Sequence, residues 1–209
     1  MRPHDIDPPS IAVHGASGRL GRLIVHEAGE RYAGPVGRQG WVPPCDVVID
    51  VSSPQGLAAL LPRLQGQALL VGTTGALPMD ALRAYAEQAP VAVLSNFSAG
   101  VPLLLDALAR LVPALPEGWQ IEVVEAHHAA KQDAPSGTAK RIVQAIGRPD
   151  VPTHSLRVGD TVGEHTVWLS GPGERLELKH VATRREVFAI GALRHARWLV
   201  QQGPGLHQP

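Results

Sequence analysis

The chain has one cysteine, Cys45, among 209 residues. That excludes an internal disulfide and suits a reducing compartment. It has no surplus of either charge: 19 basic and 19 acidic side chains give a formal net charge of zero, so no nucleic-acid surface is marked as a partner. No apolar run approaches the ~18–20 residues of a membrane span. The first residues, MRPHDIDPPS, carry no apolar core of a signal peptide. Repeats and low-complexity tracts are missing too. With 44% hydrophobic and 18% charged residues, disorder is excluded. The expectation is a soluble cytoplasmic protein, long enough for one large domain or two small ones. Its 22 glycines and 19 prolines favour many turns over a helical bundle.

What is present is a βα rhythm over the first hundred residues. SIAVH (10–14), DVVIDV (46–51), ALLVG (68–72) and PVAVL (90–94) read as buried strands. Between them, helical spacing is expected over 18–32, 54–61 (capped by Ser53 and opened by Pro54) and 78–88. Strands without polar alternation, joined by helices, imply a parallel sheet covered on both faces. Beyond a hinge near residues 96–100 the pattern changes. Helices are expected over 99–111 and 138–146, a strand over 120–126, and an antiparallel hairpin over 164–170 and 174–181, joined by Gly171-Pro172-Gly173. In its second strand Leu176 and Leu178 alternate with Arg175, Glu177 and Lys179, so one face is wet. A helix over 188–201 closes the chain.

Four stretches can carry chemistry. HGASGRLGR (14–22) places Gly15, Gly18 and Gly21 between a strand and a helix, where backbone N–H groups and a helix start can meet a pyrophosphate. The spacing is G-x-x-G-x-x-G, and a ligand-free glycine turn is the other reading. Gly37-Arg38 stands where a nucleotide fold usually has an acid for the ribose; arginine there suits a 2′-phosphate, or is an ordinary surface residue. GTTG (72–75) lets a flat ring approach the backbone, or simply ends a strand, and in SNFSAG (95–100) Phe97 can stack on a ring or join the core. The fourth is EAHHAAKQDAPSGTAKRI (125–142). Adjacent histidines on an extended segment point to opposite faces; with only Asp133 and Glu125 to help, a metal site is not expected. Anion binding fits better, because Pro135-Ser136-Gly137-Thr138 begins a helix whose first N–H groups favour a carboxylate. A capped helix start beside a solvated basic loop is the other reading.

Taken together, GASGRLGR, DVVIDVSSP, VGTTG, SNFSAGV, EAHHAAKQDAPSGTA, VGEHTVWLSGPGERLELKH and FAIGALRHARWL resemble, in order, the 4-hydroxy-tetrahydrodipicolinate reductase family of the diaminopimelate route to lysine. EAHHAAKQDAPSGTA is the most specific of them. The resemblance implies an α/β fold: a Rossmann-type domain over 1–97 plus 184–209, and a smaller α+β substrate-binding and oligomerisation domain over 98–183. It implies that Gly15, Ala16, Ser17, Gly18, Arg19 and Leu20 hold the pyrophosphate of NADPH, or of NADH. Arg38 would reach the adenosine ribose or its phosphate. Gly72, Thr73 and Thr74, with Leu94, Ser95, Asn96 and Phe97, would line the nicotinamide. His127 corresponds to the family's acid/base histidine and Lys131 to its proton donor, while His128, Gly137 and Thr138 would hold the carboxylates of a cyclic imine substrate. A homotetramer built through the substrate-domain sheets is implied, with no nucleic-acid, membrane or metal partner.

The chain departs from the family pattern in being short. Only WVPPC separates Gly40 from Asp46, where members insert a further strand and helix, so a reduced sheet is expected. Gly37 replaces the acid, which leans towards NADPH. Pro102 replaces an asparagine, residues 147–155 are compact, and GLHQP ends early. Two other functions fit parts of the chain: an amino-dicarboxylate dehydrogenase of the same fold, and a non-catalytic dinucleotide-binding protein. The DAPSGT segment argues against the first, and the retention of both His127 and Lys131 against the second.

Overall fold

The computed structural model describes residues 7–37, 41–148 and 150–209. They form two compact units: residues 1–97 with 186–209, and residues 98–185. The first is built on a six-stranded parallel sheet. In chain order its strands are β1 (Ile11–His14), β2 (Tyr32–Pro35), β3 (Val47–Asp50), β4 (Ala68–Val71), β5 (Pro90–Val93) and a last strand, Gly205–His207. In space the order is last strand, β5, β4, β3, β1, β2. Successive residues of each central strand feed opposite layers. Ile11, Val13, Ile49 and Leu70 pack with Ile24 and Ala28 of α1 (Arg19–Ala28) and with a late helix, Glu186–Leu199. Ala12, Val48, Leu69 and Val91 pack with Leu57 and Leu60 of α2 (Pro54–Leu60) and Leu82 and Tyr85 of α3 (Met79–Ala86). Burial on both faces is why the strands read as unbroken apolar runs.

In this unit four elements differ from the sequence expectation. Helix α1 stops at Ala28 because Gly29 takes φ 55° and donates its N–H to the Val25 carbonyl, a glycine helix stop. The chain then turns into β2, whose Gly34 and Pro35 hide it as a strand. The late helix ends at Leu199, after which Gly205–His207 adds an edge strand beside β5, with Leu206 opposite Val91.

The second unit packs two helices on a four-stranded sheet. The helices are α4 (Gly100–Leu111) and α5 (Gly137–Ile146); the strands are β6 (Gln120–His127), β7 (Thr153–Arg157), β8 (Gly163–Gly171) and β9 (Glu174–Ala182), in the order β7-β6-β8-β9. The late helix and last strand of the first unit are thus α6 and β10. β7 runs parallel to β6, and the β8–β9 pair is an antiparallel hairpin. Sequence reading missed β7, because THSLR shows little apolar alternation. Ile121, Val123, Val167 and Leu169 face Leu104, Leu108, Ile142 and Ile146 of the helices. No described helix is long and apolar enough to cross a membrane.

Candidate active site

In the first unit the candidate cofactor residues gather at the carboxyl ends of the parallel strands, where ligands of such sheets bind. Gly15 follows β1 with φ 87°, and a Cβ there would lie 2.6 Å from the Val51 carbonyl oxygen. The turn closes with Gly18 N–H donating to the Gly15 carbonyl at 3.0 Å. Ala16 and Leu20 pack against the core, and the Ser17 carbonyl accepts from Arg22 Nε at 2.9 Å. A Cβ at Gly21 would collide with the Gly15 carbonyl, so the helix can start this close only with glycine. Helix α1 begins at Arg19 with no side chain capping it and no acid in its first turn. Its N–H groups therefore meet an anion without competition, which fits the pyrophosphate of a dinucleotide.

Gly72 follows β4, and a Cβ there would stand 2.5 Å from the Phe97 ring. Phe97 is buried in the core against Gly72 and α6, rather than exposed as a platform. Thr73 is buried, its hydroxyl accepting from Ser52 N–H at 2.9 Å, and Thr74 is exposed. Leu94 N–H donates to the Val71 carbonyl, which lays Leu94, Ser95 and Asn96 along the same edge. Sequence reading did not find the polar cluster beneath this edge. Asp50 is fully buried and takes hydrogen bonds from His14 Nδ1 (2.7 Å) and Ser52 Oγ (2.6 Å) on one oxygen. Arg38 lies outside the described residues. Clefts of about 420 and 480 Å³, near Cys45, Gln65 and Gln67, open at the amino ends of the strands, away from this edge.

In the second unit, His127 ends β6 on its helix-facing side, two residues after Glu125 and therefore on the same face. Its Nδ1 meets Glu125 Oε2. Glu125 is fully buried. Arg157 of β7 reaches it with two nitrogens, Nη1 to Oε2 at 3.1 Å and Nη2 to Oε1 at 2.8 Å, and Ser136 N–H donates to Oε1 at 3.3 Å. Burial alone would raise this carboxyl; the bonds from Arg157, Ser155 and His127 outweigh it and lower it to about 2. His127 is pushed down by burial, partly offset by Glu125. Edge-on to His127 is His165 of β8, ring centroids 5.3 Å apart, pushed down to about 4 by burial and neighbouring cations.

Lys131 follows on the turn after β6, its ammonium 2.6 Å from Asp133 Oδ1. That contact draws the Asp133 carboxyl below its ordinary value. The Ala134–Pro135 peptide is cis. Ser136 then caps α5 by accepting Ala139 N–H at 3.1 Å, and the first intrahelical bond runs from Lys140 N–H to the Ser136 carbonyl. Gly137 and Thr138 precede that bond, and a Cβ at Gly137 would meet nothing within 4 Å, so a carboxylate can come close to the helix start. His127, His128, Lys131, Gly137 and Thr138 thus lie on one strand end, one turn and one helix start. No group of metal-ligating side chains occurs among the described residues. Arg157 and His165 were missed by sequence reading. The two-residue parity of THSLR and GEHTVWL, which puts Arg157 and His165 on the face of Glu125 and His127, is the signal that could have found them.

Residues 100–208 match the family model described as dihydrodipicolinate reductase, C-terminus. The chain is 41% identical to the 4-hydroxy-tetrahydrodipicolinate reductase of Xanthomonas euvesicatoria pv. vesicatoria, over 95% of this chain and 94% of that protein. It is 43% identical to that of Myxococcus xanthus, over 78% and 69%. Among solved structures, the fold is similar to that of the dipicolinate-bound dihydrodipicolinate reductase from Paenisporosarcina sp. TG-14, with TM-score 0.72, 20% identity and coverage of 94% and 96%.

Proposed function

The chain belongs to the 4-hydroxy-tetrahydrodipicolinate reductase family, and on that footing we propose that it reduces 4-hydroxy-tetrahydrodipicolinate to tetrahydrodipicolinate with a nicotinamide dinucleotide, in the lysine pathway. One observation supports this most: a buried Glu125–His127 pair stands at the end of the strand whose following turn carries Lys131 and starts α5 at Gly137. A cyclic dicarboxylate needs a carboxylate grip and a proton donor side by side, and these residues provide both.

The first unit is the dinucleotide-binding domain, with Gly15, Ala16, Ser17, Gly18, Arg19 and Leu20 at the pyrophosphate. Gly72, Thr73, Thr74, Leu94, Ser95 and Asn96 surround the nicotinamide end, with the Phe97 ring packed behind them, and Arg38 selects NADPH through its 2′-phosphate. The bound dinucleotide supplies a hydride, which no side chain can. The second unit is the substrate domain. The N–H groups of Gly137 and Thr138 take one carboxylate at the start of α5, aided by His128. Once the ring hydroxyl has left as water, the reduced ring must gain a proton at the carbon next to the one reduced. His127, pushed down by burial, is neutral near pH 7, so the Lys131 ammonium delivers that proton. Clamping the carboxylate also draws electron density from the ring and stabilises the enamine that forms.

The enzyme works in the cytoplasm as a homotetramer. The second unit's sheet has its helices on one face only. The other face presents Leu156 and Val181, both exposed, and Trp168 under the Arg175 guanidinium at 4.6 Å. The test is oxidation of NADPH, and separately of NADH, by purified protein given freshly made hydroxy-tetrahydrodipicolinate. Turnover with NADPH is expected. Tight dinucleotide binding without turnover on either cofactor would leave a non-catalytic binder instead.

A further inference from the structure

Arg157 carries no role in the reading above, yet its side chain is fully engaged. A guanidinium has five N–H donors in a fixed fork, and here every one has an acceptor. Nη1 serves Glu125 Oε2 and the Leu156 carbonyl at 2.7 Å. Nη2 serves Glu125 Oε1 and the Asp133 carbonyl at 2.5 Å. Nε serves the Lys131 carbonyl at 3.3 Å. Two of these acceptors belong to the turn that presents the Lys131 ammonium.

The other end of the network fixes a proton. With both oxygens engaged by donors, Glu125 is an acceptor only, so the hydrogen between it and His127 sits on His127 Nδ1. His127 Nε2 then keeps its lone pair. It points along the strand edge at Gly163, where a Cβ would come within 3.2 Å. We infer that Arg157 is a positioning residue of the reaction: through Glu125 it holds His127 as the Nδ1–H tautomer, and through the Lys131 and Asp133 carbonyls it holds the turn that aims Lys131. This rests on the reductase reading for the reaction it serves, but the tautomer it fixes can be measured without substrate.

Two substitutions test it, Arg157→Lys and Glu125→Gln. Lysine has three donors at one point and cannot span both carboxylate oxygens and the turn. Glutamine keeps the shape of Glu125 but has one acceptor oxygen, so it must fail either Arg157 and Ser136 N–H or His127. In the full chain, 15N-labelled at histidine, long-range proton–nitrogen spectra read the His127 tautomer. The expected result is Nδ1–H in the parent and a mixture of tautomers in both variants. With it, kcat should fall about 100-fold, the scale of a misplaced acid/base group, at unchanged NADPH affinity. In Glu125→Gln the acid limb of the kcat/KM profile should also move to lower pH. The carboxylate is the one charge raising His127, whereas Lys131 and Arg157 lower it, and His165, lowered to about 4, stays neutral in that range. A merely structural Arg157 would lower the melting temperature and NADPH affinity and leave the tautomer and pH profile as in the parent; that result overturns the inference. So does an unchanged tautomer with kcat within about twofold of the parent, well short of the loss expected. Should the parent itself fail to turn over the substrate, the reductase reading falls, and the tautomer spectra still decide whether Arg157 sets His127.

Discussion

Two histidines, one in each unit, should make the protein sensitive to mild acid. His165 is 3% exposed and His195 is 5% exposed, and each is lowered from 6.5 to about 4, chiefly by burial. His195 has a second cause: Arg194 Nη2 approaches its Nε2 at 3.4 Å, occupying the lone pair that a proton would need. A lowered histidine stays neutral in the folded state while the unfolded chain takes up a proton. Its contribution is therefore intact above pH 6.5 and is lost as pH falls towards about 4. For one such group the unfolded state gains about 0.2 kcal/mol at pH 7 and about 1.4 kcal/mol at pH 5.5, a loss of about 1.2 kcal/mol. The pair together should lose about 2.5 kcal/mol, a large part of an ordinary domain's stability. Glu125 does not contribute in this window, because its depressed carboxyl loses stability only below 4.5. The assay is urea unfolding at pH 7 and pH 5.5, followed by tryptophan fluorescence, for the parent, His195→Gln and His165→Gln. Each variant should start lower at pH 7 and show a pH-dependent loss smaller by about 1.2 kcal/mol in its own unit. Equal pH slopes in all three proteins would refute the reasoning, as would a parent equally stable at both pH values.

Other substitutions test single features. Lys131→Ala should cut kcat about 100-fold while leaving NADPH affinity unchanged, as measured by fluorescence titration; matched losses would make the lysine structural. Gly15→Ala should destabilise by about 1–3 kcal/mol, since it forces a Cβ against the Val51 carbonyl at positive φ; an unaltered melting temperature would show that the turn yields. Ser53→Ala removes the hydroxyl that accepts Gly56 N–H at 3.1 Å and should cost about 1 kcal/mol in denaturant unfolding.

The sequence was most legible where burial is symmetrical. IAV, VVI and ALLV are apolar on both faces because helices cover both, so their unbroken apolar runs find them. It was least legible at sheet edges. In β2, Gly34 and Pro35 are poor strand formers, and the strand exists because Ile11 and Ala12 of β1 supply partners. β10 is three residues held by β5. In the candidate site, the His-His-Lys turn and the α5 start stand out as motifs, because helix-start chemistry is local. The Arg157 network does not. Its members come from β6, β7 and the turn before α5, and only strand register brings Glu125 opposite Ser155 and His127 opposite Arg157. For Phe97 the sequence allowed either a ring-stacking or a core residue; Gly72 and Gly191 leave room for it inside the core.

The last twenty-four residues carry a consequence for synthesis. Residues 98–185 are one continuous segment, complete on the ribosome before α6 is made. The first unit, begun earlier, then still lacks Ala189, Ala192, Leu193, Ala196 and Leu199, which fill one side of its sheet, and the strand that covers β5. The half translated first is therefore the half finished last, and a chain released after Arg185 would carry every residue of the second unit while the part of the first unit's sheet that α6 covers still lacked its helix.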